Sequence, residues 1–397
     1  MLTRRGLLAA TAGTLLLGGC GRSGAADGSG ATPAPTGADL VVGASLELTG
    51  AGPALGVLQE RALALTLESL NTEGVRTGRL TRRIRLEVRD NHSDPRLAAR
   101  QATELATVDG VHALVGGTRT ETSMAIVPVA QQQRVPFVSL GFGDGIVLPL
   151  PARTFVFKLT PDAADMARRL ARQIAAQGLR RVVLLAARGL HGDTGVRAVT
   201  AALAVADLEL TRTVRLPATG EEFRRAAERV AAADADAVLL WATAPDTAAG
   251  ARALRRAGYD GPLFLDAGAV AEETLEGDNA AAVEGAYAVH PMSLGGSTLT
   301  NTTTTALDRR AFTFRYLQRY GGFSGFAPYG SDALQLIANA AELSGSVDRG
   351  RLRAFLQNQI TEGLAGSYSF ASLRHGGMDG ESLGIYTVSQ GSWTRVS

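Results

Sequence analysis

The order of apolar runs predicts an α/β protein whose parallel sheets are covered by helices on both faces. Three observations carry this reading. Short strand-like runs alternate with helix-like ones from residue 41 to beyond residue 260. The runs at 41–48 and at RRVVLLAA (180–187) are continuously apolar, the pattern of strands buried on both sides. The alternation falls into two stretches, one on each side of residue 160.

Taken in order, 41–48 is a strand and 56–72 a helix, with apolar residues at 58, 62, 63, 65, 67 and 70. RIRLEV (83–88) alternates as a strand. Asp94-Pro95 opens a helix, with Asp as cap and Pro in the first position. VHALVG (111–116) and VPFVSL (135–140) are strands flanking a helix at 120–132. Asp162 is expected to cap a helix to Gln177, and 180–187 is a strand. Helices are predicted at 192–206, 221–233 and 245–257, with LELTRTVRL, DAVLLWAT and PLFLDAG as strands. EGAYAVHP (284–291) is a further strand, and GGSTLTNTTTTA (295–306) a surface loop. Helices near 307–320, 329–344 and 349–358 precede strands at 367–370 and 383–396, the latter turning at Gln390-Gly391.

Cys20 is the chain's one cysteine, so no internal disulfide supports the fold. It lies between an apolar run at 7–17 and GRSGAADGSGATPAPTGA (21–38), which offers nothing to pack. Arg4 and Arg5 precede the run, and Gly18 and Gly19 precede the cysteine. This is a basic head, an apolar middle and a small-residue cut site, too short to span a bilayer. Leu17-Gly18-Gly19-Cys20 resembles the lipobox of bacterial lipoproteins. That resemblance implies a signal peptide at 1–19, acylation of Cys20, and a flexible linker at 20–39. Thr3 to Leu8 also resembles a twin-arginine export signal, without its usual aromatic. The net charge of +2 gives no electrostatic footprint for nucleic acid. About 355 residues remain after the linker, enough for two domains.

VVGASLELTGAGPALGVLQERALALTLESLNTEG resembles the opening of the type I periplasmic binding proteins, the branched-chain amino-acid-binding group. The resemblance continues through IRLEVRDNHSDP, VHALVGG, VPFVSL, ARALRRAGYDGPLF and YGSDALQLIANAAE. It implies two doubly wound parallel-sheet lobes joined by three crossover strands, near residues 160, 288 and 366. The N-terminal lobe would comprise 40–160 and 289–366, the C-terminal lobe 161–288 and 367–397. A ligand would lie between the lobes at the carboxyl ends of the strands, and the lobes would close on it by hinge motion.

Candidate ligand residues follow from that alignment. GGTRTETS (116–123) ends a strand and begins a helix, where free N–H groups suit a carboxylate. Thr120 aligns with the family's carboxylate-binding hydroxyl and would equally serve as a helix cap. In SLGFGDG (139–145) the matching positions are Gly141, Phe142 and Gly143. The family's hydroxyl is missing there, which leaves backbone groups at Gly141 and Gly143. His191 stands where the family often has an aromatic, and a neutral imidazole can donate to an anion and still stack. Thr243 falls on another family aromatic, while Trp241 is expected to pack beneath a helix. Gly268 occupies the position of the acid that pairs with an α-ammonium. Asp266, two residues earlier and on the same strand face, is a substitute after a small shift. Tyr329 and Ser331 lie where the family brings an aromatic to the cleft.

Asp90, His92 and Asp94 alternate as metal ligands can, but similar turns in the family hold none, and neither metal nor cofactor is expected. No G-x-S-x-G elbow, zinc motif or activated cysteine points to an enzyme. The expectation is an exported lipoprotein on the outer face of the membrane. It would capture a small polar ligand, an amino acid or related carboxylate, for the permease of an ABC importer. The alternative is a sensor that presents its ligand to a membrane receptor.

Overall fold

The computed structural model describes residues 37–50, 53–216, 220–291 and 302–396. The export signal, Cys20 and all but the last residues of the linker lie outside them, as does much of the polar tract 295–306. Among the described residues no helix is long and apolar enough to cross a membrane.

β1 (Leu40–Leu46) is buried along its whole length, because it has strands on both sides and helices on both faces. Its alternate residues feed two cores. Leu40, Val42, Ala44 and Leu46 join one; Val41 joins another with Ala98, Leu105 and Phe137. After α1 (Pro53–Glu73) a small hairpin, β2 (Val75–Thr77) and β3 (Leu80–Arg82), leads to β4 (Ile84–Asp90) on one side of β1. α2 (Pro95–Thr107) carries the chain to the other side. Asp94 caps it as expected, accepting from the Arg96 N–H at 2.8 Å with Pro95 in the first turn. β5 (Ala113–Gly116), α3 (Thr120–Gln132), β6 (Phe137–Ser139) and β7 (Val156–Lys158) follow. The sheet order is β4-β1-β5-β6-β7, with every neighbouring pair parallel. The winding direction therefore changes between β1 and β5.

The second sheet repeats this plan. α4 (Ala163–Ala176) leads to β8 (Arg181–Ala186), α5 (Leu190–Val205) and β9 (Glu209–Arg215) at one edge. α6 (Gly220–Ala231) returns the chain to the other side of β8. There β10 (Ala237–Trp241), α7 (Asp246–Arg256), β11 (Leu263–Leu265), α8 (Asp278–Val283) and β12 (Tyr287–Pro291) follow. Here the direction changes between β8 and β10.

α9 (Thr304–Tyr320), α10 (Ala327–Ser344) and α11 (Arg349–Leu356) then pack on the first lobe. Thr66 of α1 donates to the Ser331 hydroxyl at 2.7 Å, and Arg349 donates to the Val111 and Ala106 carbonyls. Gly330 allows this approach, since a Cβ there would lie 2.4 Å from the Gln59 carbonyl oxygen. β13 (Ile360–Glu362) and β14 (Ser367–Ser369) pair with each other. β15 (Leu383–Ser389) and β16 (Ser392–Arg395) complete the second sheet as antiparallel strands, in the order β16-β15-β12-β11-β10-β8-β9. The turn between them has Gln390 and Gly391 at φ 52° and 68°, the left-handed pair a tight hairpin requires. The expected boundary at 288 falls inside β12, and the one at 366 precedes β14, which pairs with β13 and not with the second sheet.

Asp162 precedes α4, but its side chain does not cap that helix. It is turned to Lys158, the one lysine of the chain, at 2.8 Å. The Lys158 ammonium is fully buried and also donates to the Thr160 and Pro161 carbonyls, with Asp144 at 3.5 Å. Burial alone would raise the Asp162 carboxyl; the ammonium outweighs it and holds that carboxyl low. The Lys158 backbone bonds to His375 and Gly377, so the first passage between lobes is stitched to the third.

Candidate functional site

Because the strands within each winding run are parallel, their carboxyl ends and the helix starts that follow share one edge. The two edges face each other. A cavity between them is lined by Thr118, Arg119, Thr120, Glu121 and Phe142 from the first lobe, and by Ala187, Arg188, His191, Thr243 and Asp246 from the second. These residues cluster about the change of winding direction in each sheet, the place where open α/β sheets leave a crevice.

The start of α3 does not present its N–H groups as the sequence suggested. Glu47, just beyond β1 and fully buried, accepts from the Thr118 N–H at 2.9 Å and the Arg119 N–H at 3.3 Å, and from the Thr122 hydroxyl. A side chain of the protein thus fills the first part of the expected anion nest. Thr120 begins α3 and is not its cap; its methyl presses on Gly143, where a Cβ would lie 2.2 Å away. Gly141 is also committed: its N–H donates to Ser139 Oγ at 3.1 Å and its carbonyl accepts from the Thr160 hydroxyl at 2.5 Å. The Gly143 carbonyl accepts from the Ile146 N–H. The Gly141 and Gly143 carbonyls are therefore each already engaged by the protein.

Across the cavity, His191 sits in the first turn of α5. Its Nε2 lies 2.7 Å from Asp266 Oδ2, and the Ala242 N–H donates to Asp266 Oδ1 at 3.3 Å. Burial raises the Asp266 carboxyl and the imidazole opposes it. Asp266 does not line the cavity; its carboxylate is engaged by His191, which does, and by the Ala242 N–H. Gly268 itself has no room for a side chain: a Cβ would lie 2.6 Å from the Thr243 methyl. Trp241 packs beneath α5 as expected, with its ring 5.8 Å from His191 and against Gly195.

Tyr329 is buried in the first turn of α10, 6.1 Å from the Phe142 ring, and its hydroxyl has no hydrogen-bond partner among the described residues. Ser331 is placed elsewhere. It lines a separate cavity of about 330 Å³ between α1, α9 and α10. Asp90, which alternates with His92 and Asp94, organises its own turn by accepting from the Leu48 and His92 N–H groups and the Thr49 hydroxyl.

Sequence reasoning missed Glu47, Arg119, Glu121, Arg188 and Asp246. Arg119 lies 3.9 Å from Glu121 and faces Asp246 of the other lobe; burial raises that carboxyl and Arg119 opposes it. Arg188 is exposed at the cavity and has no ion-pair partner among the described residues. Glu47 and Arg188 were visible as charges at the carboxyl ends of apolar strand runs.

Residues 39–390 match the family model described as periplasmic binding protein. The chain belongs to that family. The periplasmic binding proteins bind solutes and are not enzymes. An extracellular ligand-binding receptor from Rhodopseudomonas palustris HaA2 is 21% identical, with a TM-score of 0.80, over 90% of this chain and 99% of its own. The branched-chain amino acid transporter substrate-binding protein LivJ from Streptococcus pneumoniae, in complex with isoleucine, is 22% identical, with a TM-score of 0.76, over 90% and 100%. A solute-binding protein of an ABC transporter from R. palustris, in complex with benzoate, is 20% identical, with a TM-score of 0.76, over 90% and 96%. All three share the two-lobed α/β fold.

Glu47→Gln would turn an amide N–H₂ towards one of the two backbone donors. A buried donor left unpaired costs about 1–3 kcal/mol, so the urea midpoint should fall accordingly. An unchanged midpoint would show that this carboxylate does not hold the start of α3.

Proposed function

We propose that this chain is an exported, lipid-anchored binding protein that captures a small carboxylate-bearing solute between its lobes and delivers it to an ABC importer. The lobes, taken as 40–160 with 289–366 and 161–288 with 367–397, move about the crossings. The observation that carries the carboxylate is Arg188, an unpaired guanidinium beside the cavity, with Arg119 on the opposite wall. Isoleucine and benzoate, the ligands in the LivJ and R. palustris complexes, both bear a carboxylate.

An α-ammonium has less to meet. Gly268 is crowded by Thr243, Asp266 is spent on His191, and the two carboxylates at the cavity, Glu121 and Asp246, both face Arg119. Burying a charge without its partner costs about 3–5 kcal/mol, or roughly two to three decades of affinity. Calorimetry on paired ligands reads this directly: alanine with pyruvate, and leucine with its keto acid. The keto acid of at least one pair should bind at least roughly tenfold tighter than its amino acid, and Arg188→Ala should weaken it. An amino acid bound about a hundredfold tighter, and lost in Asp266→Asn, would restore an amino-acid role.

The anchor is a separate claim, resting on Cys20 and the segment before it. Two or three acyl chains hold stably where one is marginal, and the linker reaches roughly 20–25 Å. Cys20→Ala should move the exported protein from the membrane fraction to the soluble one without altering its melting temperature. A wild type already soluble after export would refute the anchor.

A further inference from the structure

The cavity between the lobes is small, about 50 Å³. That holds roughly four water-sized centres, against about 300–1,000 Å³ for ordinary small-molecule sites. One aromatic side chain in its lining reaches across the cleft. Phe142 projects from the loop after β6 and is 2% exposed. Its ring meets His191 of the opposite lobe at 6.3 Å and 78°, Tyr329 at 6.1 Å and 89°, and Phe326 at 5.5 Å and 60°.

Neither the ring nor its surroundings can easily retreat. The loop is pressed against the start of α3, where a Cβ at Gly141 would lie 2.9 Å from the Gly117 carbonyl oxygen and one at Gly143 would strike Thr120. His191 is fixed from behind by Asp266 and Trp241. Glycine on both sides of Phe142 thus lets the backbone sit close to α3, while the ring between them reaches across the cleft.

We propose that Phe142 sets an upper limit on ligand size, so that the site takes a carboxylate of about four to six non-hydrogen atoms, the size of acetate or pyruvate. Leucine-sized acids and benzoate are excluded by the ring. This rests on the reading of the cavity as the solute site. It adds a specificity-determining residue and a size class to it.

The test is a calorimetric panel of acetate, pyruvate, the keto acid of leucine, and benzoate against the wild type, Phe142→Ala and Phe142→Leu. The wild type should bind acetate or pyruvate at least about tenfold tighter than either larger acid. Phe142→Ala should gain at least about tenfold for a larger acid. Loss of a buried ring can unfold a lobe, so Phe142→Leu, with a smaller gain in the same direction, is run alongside. A wild type that binds the larger acids as tightly as pyruvate overturns the size limit and leaves the solute-binding reading intact. A small-acid preference that neither variant relaxes overturns the assignment to Phe142. No binding of any acid by all three proteins overturns both the size limit and the carboxylate reading beneath it.

Discussion

Parallel pairing is the constraint from which the rest follows. Every neighbouring pair in the first sheet is parallel, as are β9-β8-β10-β11-β12 in the second. Each strand then needs a helical crossover, and every crossover starts at the same edge. The helix starts of α3, α5 and α7 are thereby collected at two edges that face each other. Charged residues placed there, Arg119 and Glu121 on one side, Arg188 and Asp246 on the other, meet although they are distant in sequence.

The same geometry gathers the free backbone groups of strand ends and helix starts at the cleft. The protein covers some of them internally. Glu47 takes the first N–H groups at α3, Ser139 and Thr160 take both groups of Gly141, and His191 takes Asp266. What is left open is a small cavity with a guanidinium and a carboxylate on each wall and the Phe142 ring between them. At the crossings, the Lys158 ammonium is held between Asp162 and two carbonyls of the first passage, and the Lys158 backbone ties that passage to His375 and Gly377 near the third. Motion between lobes has to work around that buried fixed point.

The sequence was legible where local rules decide. The buried run of β1, the Asp94-Pro95 start of α2 and the left-handed Gln390-Gly391 turn each follow from residues within one turn or strand. The β2–β3 hairpin was missed because three-residue strands carry too little periodicity to register. The site was legible by position more than by role. Phe142, His191 and Thr243 do line the cavity, and Thr120 lies at its wall. The roles of Gly141, Asp266 and Ser331 were misread because each is set by a partner that only the fold supplies, whereas Asp162 is drawn from its helix by Lys158, four residues before it. Asp266 and His191 are 75 residues apart, and Ser331 and Thr66 are 265 apart. No spacing rule reaches that far.

The central claim is that the space between the two strand edges holds a small carboxylate and little else. The direct measurement is a mass spectrum of the small molecules released on denaturing protein purified without added solute. The account predicts a single dominant carboxylate no larger than pyruvate. A dominant species of leucine or benzoate size, or a cation with no carboxylate, would contradict it.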